Sequence, residues 1–263
     1  MKPLPGNGLR AVALTGLASS LLILNAPTAL ANGFTQPEGS TFTSFTVRTF
    51  HVDAFDKYEL EAYAEYGLKD DITLTFKLPF AWLDDEIDGE TVTNSGFTDL
   101  ELGARWRFND LDAPIATSLQ GTVLMPLGYD QNADLPLGPG AVGLEARVPV
   151  SGGYQWGERN GFWSLEAAYR QYLDSGVSNE IKLFGEISQD ISERFALAGQ
   201  IEQSIALGGG GSNNPDPEQG TFTKLTGHVW YRATDNLTFV LGGYTHVAGS
   251  DGGGLEGKIW YQF

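Results

Sequence analysis

The chain has 263 residues, no cysteine and a formal net charge of -17. The missing cysteine excludes a disulfide framework and thiol chemistry. The acidity excludes nucleic acid as a partner, because neutralising a phosphate backbone needs a basic surface.

The first element in chain order is a leader. Lys2 and Arg10 supply positive charge, Ala11 to Leu24 is an apolar run broken by small polar residues, and Ala29-Leu30-Ala31 is an Ala-x-Ala cleavage site. Residues 1–31 are thus expected to be a cleaved signal peptide, with residues 32–263 forming one exported domain. The leader carries two bases and no acid, so the remainder holds 14 bases against 33 acids, a charge near -19. The apolar run is shorter than the ~20 residues a membrane helix needs, and no later segment is longer.

Segment 32–41 reads as a small polar lead-in. Twelve strands are then expected, near 42–51, 57–67, 71–82, 96–108, 114–126, 140–150, 161–173, 179–188, 194–207, 221–232, 236–248 and 254–263. Their side chains alternate. The second strand sets Leu60, Ala62 and Ala64 against Glu59, Glu61 and Glu65. The third sets Leu74, Phe76 and Leu78 against Lys77, and the fourth sets Leu100, Leu102 and Ala104 against Asp99, Glu101, Arg105 and Arg107. The sixth and seventh contribute Glu145 and Arg147, then Glu166 and Arg170. In the eighth and ninth, Leu183, Ile187, Leu197 and Ile201 alternate with Lys182, Glu186 and Glu202. The tenth opposes Leu225 and Val229 to Lys224, His228 and Arg232, and Phe239 and Leu241 share the apolar face of the eleventh. The last shows Leu255, Gly257, Ile259, Tyr261 and Phe263 on one face and Glu256 and Lys258 on the other.

Connections alternate as well. Lys69–Asp71, Asn109–Ala113, Gly157–Asn160, Asp190–Glu193 and Thr234–Asn236 are short, whereas Asp84–Ser95, Leu127–Gly138 and Gly208–Gly220 are long and rich in Gly, Pro, Asn and Asp. Short turns on one side and long loops on the other are the habit of outer-membrane barrels. The fold expected is therefore all-β: a transmembrane, antiparallel, up-and-down barrel of twelve strands. Lipid and lipopolysaccharide would meet its apolar face. The terminal strand, ending at Phe263, resembles the one that addresses such barrels to the assembly machinery. A soluble β-sandwich is the competing fold, but it does not call for so many charges in mid-strand.

The alternation places Glu61, Lys77, Asp99, Glu101, Arg105, Arg107, Glu145, Arg147, Glu166, Arg170, Lys182, Glu186, Lys224, His228, Glu256 and Lys258 on the lumen wall. Their signs nearly balance, so they either pair across the interior or line a narrow polar passage. Twelve strands fall between small filled barrels and open sixteen-stranded porins, so strand number leaves both readings standing. Asp84, Asp85, Glu86, Asp88 and Glu90 form an acidic external loop, either plain solvated charge or a surface for divalent cations.

Catalysis has thin support. His51 and His246 fall near one rim with Asp53 and Asp251 in adjacent loops, but no serine lies two residues from a histidine and Ser250 follows His246 by four. Gly208–Gly211 opens no helix and precedes no Lys-Ser pair, so it is not a phosphate loop. No catalytic residue, metal or cofactor is expected.

Gly96, Asp99, Leu100, Leu102, Gly103, Arg105, Trp106 and Phe108 follow a Gly-x-x-Asp-Leu-x-Leu-Gly-x-Arg-Trp-x-Phe pattern. It resembles a strand of the outer-membrane barrels grouped with the meta-pathway of phenol degradation. The Leu78-Pro79-Phe80 and Leu124-Met125-Pro126 strand ends are similar to that family's hairpins. The resemblance implies transport of small hydrophobic or aromatic compounds across the outer membrane, with no catalytic residues. The alternative is a structural or surface-interaction barrel acting through its acidic loops.

Overall fold

The computed structural model describes residues 33–174, 176–208, 218 and 220–263; the expected leader and most of the glycine-rich segment 208–220 lie outside them. Every regular element is a strand: β1 (Thr41–Val52), β2 (Phe55–Lys69), β3 (Ile72–Ile87), β4 (Glu90–Phe97), β5 (Asp99–Arg107), β6 (Ile115–Pro126), β7 (Gly143–Trp156), β8 (Arg159–Tyr172), β9 (Asn179–Asp190), β10 (Phe195–Leu207), β11 (Phe222–Arg232), β12 (Leu237–Ala248) and β13 (Gly253–Gln262).

Sequence neighbours pair antiparallel around the sheet, and β1 closes it by pairing with both β2 and β13. Phe45, for example, lies opposite Ala62 on one side and Ile259 on the other. Closure removes the free edges that an open sheet would expose. Twelve staves form the wall, and β4 is an extra strand that continues β5 beyond the kink at Thr98. β3 is long enough to pair with β5 over Ile72–Lys77 and with β4 over Phe80–Ile87.

This corrects one expectation. Asp84–Ser95 is not a loop but the tip of a β-hairpin, closed by Asp88 and Gly89 at φ of 54° and 81°. Two successive positive φ values match the twist of the flanking strands, and Asp-Gly is a dipeptide that adopts them. The acids of this segment alternate between the hairpin's two faces instead of gathering in a loop. Among the described residues, no group of three or more acidic or histidine side chains could hold a metal ion.

Two of the short turns share one chemistry. Ser192 Oγ accepts the N–H groups of Arg194 and Phe195, and Thr234 Oγ1 accepts those of Asn236 and Leu237. A hydroxyl at the start of the turn thus satisfies donors that the ladder leaves open.

The outward surface is apolar. Phe76, Leu102, Leu144, Leu183, Ile201, Val229, Leu241 and Ile259 are all exposed, whereas their sequence neighbours face inward and are largely polar. Trp106 on β5 and Phe108 just beyond it, Phe195 opposite Tyr231, and Tyr261 beside Phe263 cluster at the short-turn rim. Phe80, Trp82 and Phe97 cluster toward the other. An apolar band between two aromatic belts is the surface a bilayer selects.

Candidate functional site: a charged lumen stopped at both ends

The middle of the lumen is a belt of ion pairs, most of them between paired strands, with Arg170–Glu101 and His228–Glu256 bridging strands that do not pair. Lys77 on β3 sits 2.9 Å from Glu101 and 3.7 Å from Glu61. Arg170 on β8 approaches Glu101 at 3.9 Å across two intervening staves and pairs with Glu145 at 2.8 Å. Arg147 is clasped between Glu145, at 2.8 Å, and Glu166. On the opposite wall Arg48 joins Glu59 at 2.9 Å to Glu256 at 3.1 Å, and Glu256 also receives Lys258 at 2.9 Å and His228. Lys224 lies 2.9 Å from Glu202. Glu218, from the long connection before β11, lies 3.1 Å from Lys57 and 3.8 Å from Lys224, tying that connection to both walls.

Other sequence-predicted lining residues take distinct places. Among the described residues, Lys182 has Glu180 as its one ion partner, at 3.5 Å. Glu186 is held by the Gln200 side-chain amide instead of a base. Asp99 accepts the Tyr129 hydroxyl at 2.6 Å. Arg107 faces inward but belongs to the β5–β6 turn: it donates to the Asp110 carbonyl at 2.7 Å and the Ala113 carbonyl at 3.2 Å. Between the belt and the long-loop end lies a cavity of about 180 Å³, lined by Lys57, Glu101, Arg170, Lys182, Glu202 and Lys224 and roofed by Leu137, Gly138 and Pro139.

The roof is the β6–β7 connection folded into the mouth. Leu135 is 0 % exposed and packs with Leu137 against Phe50, Phe55, Leu83 and Tyr244. These inward aromatic residues break the polar pattern of the lumen face, and they give the loop an apolar seat. Tyr129 pins the loop by donating to Asp99 and accepting the Gly140 N–H at 2.8 Å. Burial, then the nearby Asp99 carboxylate, pushes the Tyr129 phenol above the ordinary tyrosine range, so it stays a donor.

The short-turn end is stopped by the lead-in. Residues 33–36 do not trail outward as a polar lead-in would; they enter the lumen, while Pro37–Gly39 stay exposed at the rim. Gly33 donates to Ser151 Oγ at 2.9 Å and accepts from Ser118 Oγ at 2.6 Å. The Phe34 carbonyl accepts from Arg105 at 2.9 Å, and the Phe34 ring lies under the Arg107 guanidinium at 5.1 Å. Gln36 is 1 % exposed: its N–H meets Thr73 Oγ1 at 2.7 Å, its side-chain amide meets Glu65 at 2.7 Å, and its side-chain oxygen accepts from Gln262 at 3.1 Å.

The histidines do not form a shared rim site. His51 is exposed and bonds Asp56 at 2.8 Å. His246 stacks on Phe222 with ring centres 4.8 Å apart and bonds Ser250 Oγ at 2.7 Å through Nδ1. His228 is buried against Glu256 in the belt.

Sequence reasoning missed Arg48, Lys57, Gln36, Leu135 and Leu137. Arg48 was open to it, since Phe45 and Val47 set the outward phase of β1 and put Thr46 and Arg48 inside. Lys57 was open to it as well, because it shares the phase of Glu59 and Glu61, whereas Gln36, Leu135 and Leu137 lie outside strands, where alternation says nothing.

Solved structures similar in fold include outer-membrane channels and porins. The chain is similar to an outer membrane channel from Pseudomonas putida F1, with 14 % identity, a TM-score of 0.62, and coverage of 88 % of this chain and 98 % of that one. It is similar to the NanC porin at 10 % identity and TM-score 0.54, covering 82 % and 98 %, and to the KdgM porin at 8 % and 0.52, covering 84 % and 99 %. No protein-family model and no curated protein matches the chain. The likeness is one of fold: a closed, antiparallel, outer-membrane-type β-barrel with a twelve-stave wall.

Proposed function

We propose that the protein is an outer-membrane channel for small molecules, with the long loops outside the cell and the short turns in the periplasm. The observation that carries this reading is the pair of stoppers. A purely structural barrel could fill its lumen with side chains alone. Here two elements outside the strands, the β6–β7 loop and segment 33–36, are seated in the two mouths by a few specific bonds, and a cavity remains between them. The fold shared with the porins and the Pseudomonas putida channel supports the same reading.

Cargo is small on this reading. A cavity of about 180 Å³ is below the ~300 Å³ at which sites for drug-sized ligands begin. The mouth offers rings and leucines while the waist offers paired charges, so a compact aromatic molecule bearing a polar group suits both. This agrees with the cargo that the likeness of strand 96–108 to the phenol-degradation barrels implies. Uptake of a benzoate-sized solute into vesicles holding the refolded barrel is the test. Faster entry than into empty vesicles is expected; equal entry would remove the transport reading and leave a structural barrel.

A further inference from the structure

Beyond passage, the long-loop end carries a second surface. Among the described residues, β4 pairs with β3 alone, so one of its edges has no partner strand there. The two-residue turn at Asp88-Gly89 fixes which groups are free. Ile87 and Glu90 close the hairpin as a hydrogen-bonded pair, and alternation then turns the backbone groups of Glu90, Val92, Asn94 and Gly96 toward β3. Those of Thr91, Thr93, Ser95 and Phe97 face away. Of these, the Ser95 N–H is taken by Asn94 Oδ1 at 2.8 Å.

The free edge is one wall of a cleft of about 500 Å³; the opposite wall is Leu127–Leu137 of the β6–β7 connection, fixed to β4 by a bond from Asn94 Nδ2 to the Leu135 carbonyl at 2.8 Å. Six consecutive β4 residues, Val92 to Phe97, line it. At ~3.3 Å per residue this is a slot about 20 Å long, the length of one more short strand. Phe97 and Leu127 supply apolar contact, while Asp130 and Asp134 stand on the loop side. Residues 78–104 and 108–146, which contain both walls, hold no lysine, arginine or histidine.

We propose that this cleft binds an extended cationic peptide by strand addition to β4. The free backbone groups of Thr91, Thr93 and Phe97 give the ladder, and alternate side chains of the guest separate into an apolar row on Phe97 and Leu127 and a basic row facing Asp130 and Asp134. A second copy of this chain is a poor guest. Pairing two β4 edges would bring two hairpin tips together, each bearing Asp85, Glu86, Asp88 and Glu90 with no base between them.

The test uses the full refolded barrel in uncharged nanodiscs and an eight-residue peptide of alternating lysine and valine, blocked at both ends. Titration should show binding that weakens at least tenfold between 50 and 500 mM salt, on the order expected for a multiply charged contact. Thr93→Pro should weaken it at least tenfold, because that N–H faces away from β3 and proline is tolerated on edge strands. If Thr93→Pro does not fold, the double variant Thr93→Lys with Ser95→Lys keeps the ladder and should also abolish binding by charging the edge. Amide exchange at Thr91 and Thr93 should slow in the bound state. No binding by the native barrel, equal affinity in the edge variants, or equal affinity for a glutamate-valine peptide would each overturn the proposal. A dimer that Thr93→Pro dissolves would assign the edge to a second copy and overturn it as well.

Discussion

Arg105 on β5 and Glu65 on β2, 40 residues apart in sequence, meet at 2.7 Å inside the barrel across the width of β3. Both side chains are almost fully buried, and the pair also binds the lead-in: Arg105 holds the Phe34 carbonyl and Glu65 holds the Gln36 amide. Tyr63 donates a further bond to Glu65 at 2.6 Å.

Glu65→Ala should therefore destabilise the barrel by about 3–5 kcal/mol, since it strands a buried guanidinium. Glu65→Gln should cost less, because an amide oxygen still accepts from Arg105. Urea unfolding from lipid vesicles reads the difference, and equal midpoints for Glu65→Ala and the native barrel would contradict it.

Leu135 and Leu137 seat the roof on Phe50, Leu83 and Tyr244. Burying a leucine contributes about 1.5–3 kcal/mol, so Leu135→Asp with Leu137→Asp should release the loop while leaving the wall paired. The expected result is a lengthened open time in planar-bilayer recordings with an unchanged β-sheet circular dichroism spectrum. Unchanged gating would show that the loop does not close the passage.

Lys182 lines the waist cavity with one carboxylate among the described residues, at 3.5 Å, unlike the clasped Arg147. Lys182→Glu should shift the reversal potential toward cation preference under a salt gradient. Arg147→Glu should instead impair folding, because it sets three acids together at Glu145 and Glu166. A reversal potential that does not move in Lys182→Glu would place the ion path elsewhere.

Ile201 faces outward near the middle of β10. Ile201→Arg should cost about 2–4 kcal/mol in a bilayer, the range for a base at the midplane of a barrel's lipid face. Thr226, inward on the neighbouring strand, should accept lysine at smaller cost. Refolding yield in vesicles checks both; an unaffected Ile201→Arg would mean that this face does not meet hydrocarbon.

Strand phase was legible in the sequence because a barrel wall has one wet and one oily face, and the side-chain period of two records that difference directly. Phe76 and Lys77, or Glu256 and Ile259, declare their sides without any structure. The β3–β4 hairpin was obscured by its acids, although Asp88-Gly89 between Ile87 and Val92 carries the hairpin signal. Neither stopper was legible. Residues 33–40 make their bonds chiefly through single backbone groups to Ser118, Ser151 and Arg105, contacts that leave no periodic trace. Leu135 and Leu137 look like two isolated apolar residues in a proline- and glycine-rich loop until Phe50, Phe55 and Tyr244 are brought round to meet them.

The central claim is that the lumen is a passage held shut, and single-channel conductance tests it most directly. The refolded barrel and a variant lacking residues 33–39 would be recorded in the same planar bilayers, the variant also carrying Leu135→Asp and Leu137→Asp. Small or rare steps from the intact barrel, and larger, discrete and reproducible steps from the variant, are predicted. Silence from both, with folding and insertion verified, would contradict it and would show that the charged belt itself fills the barrel.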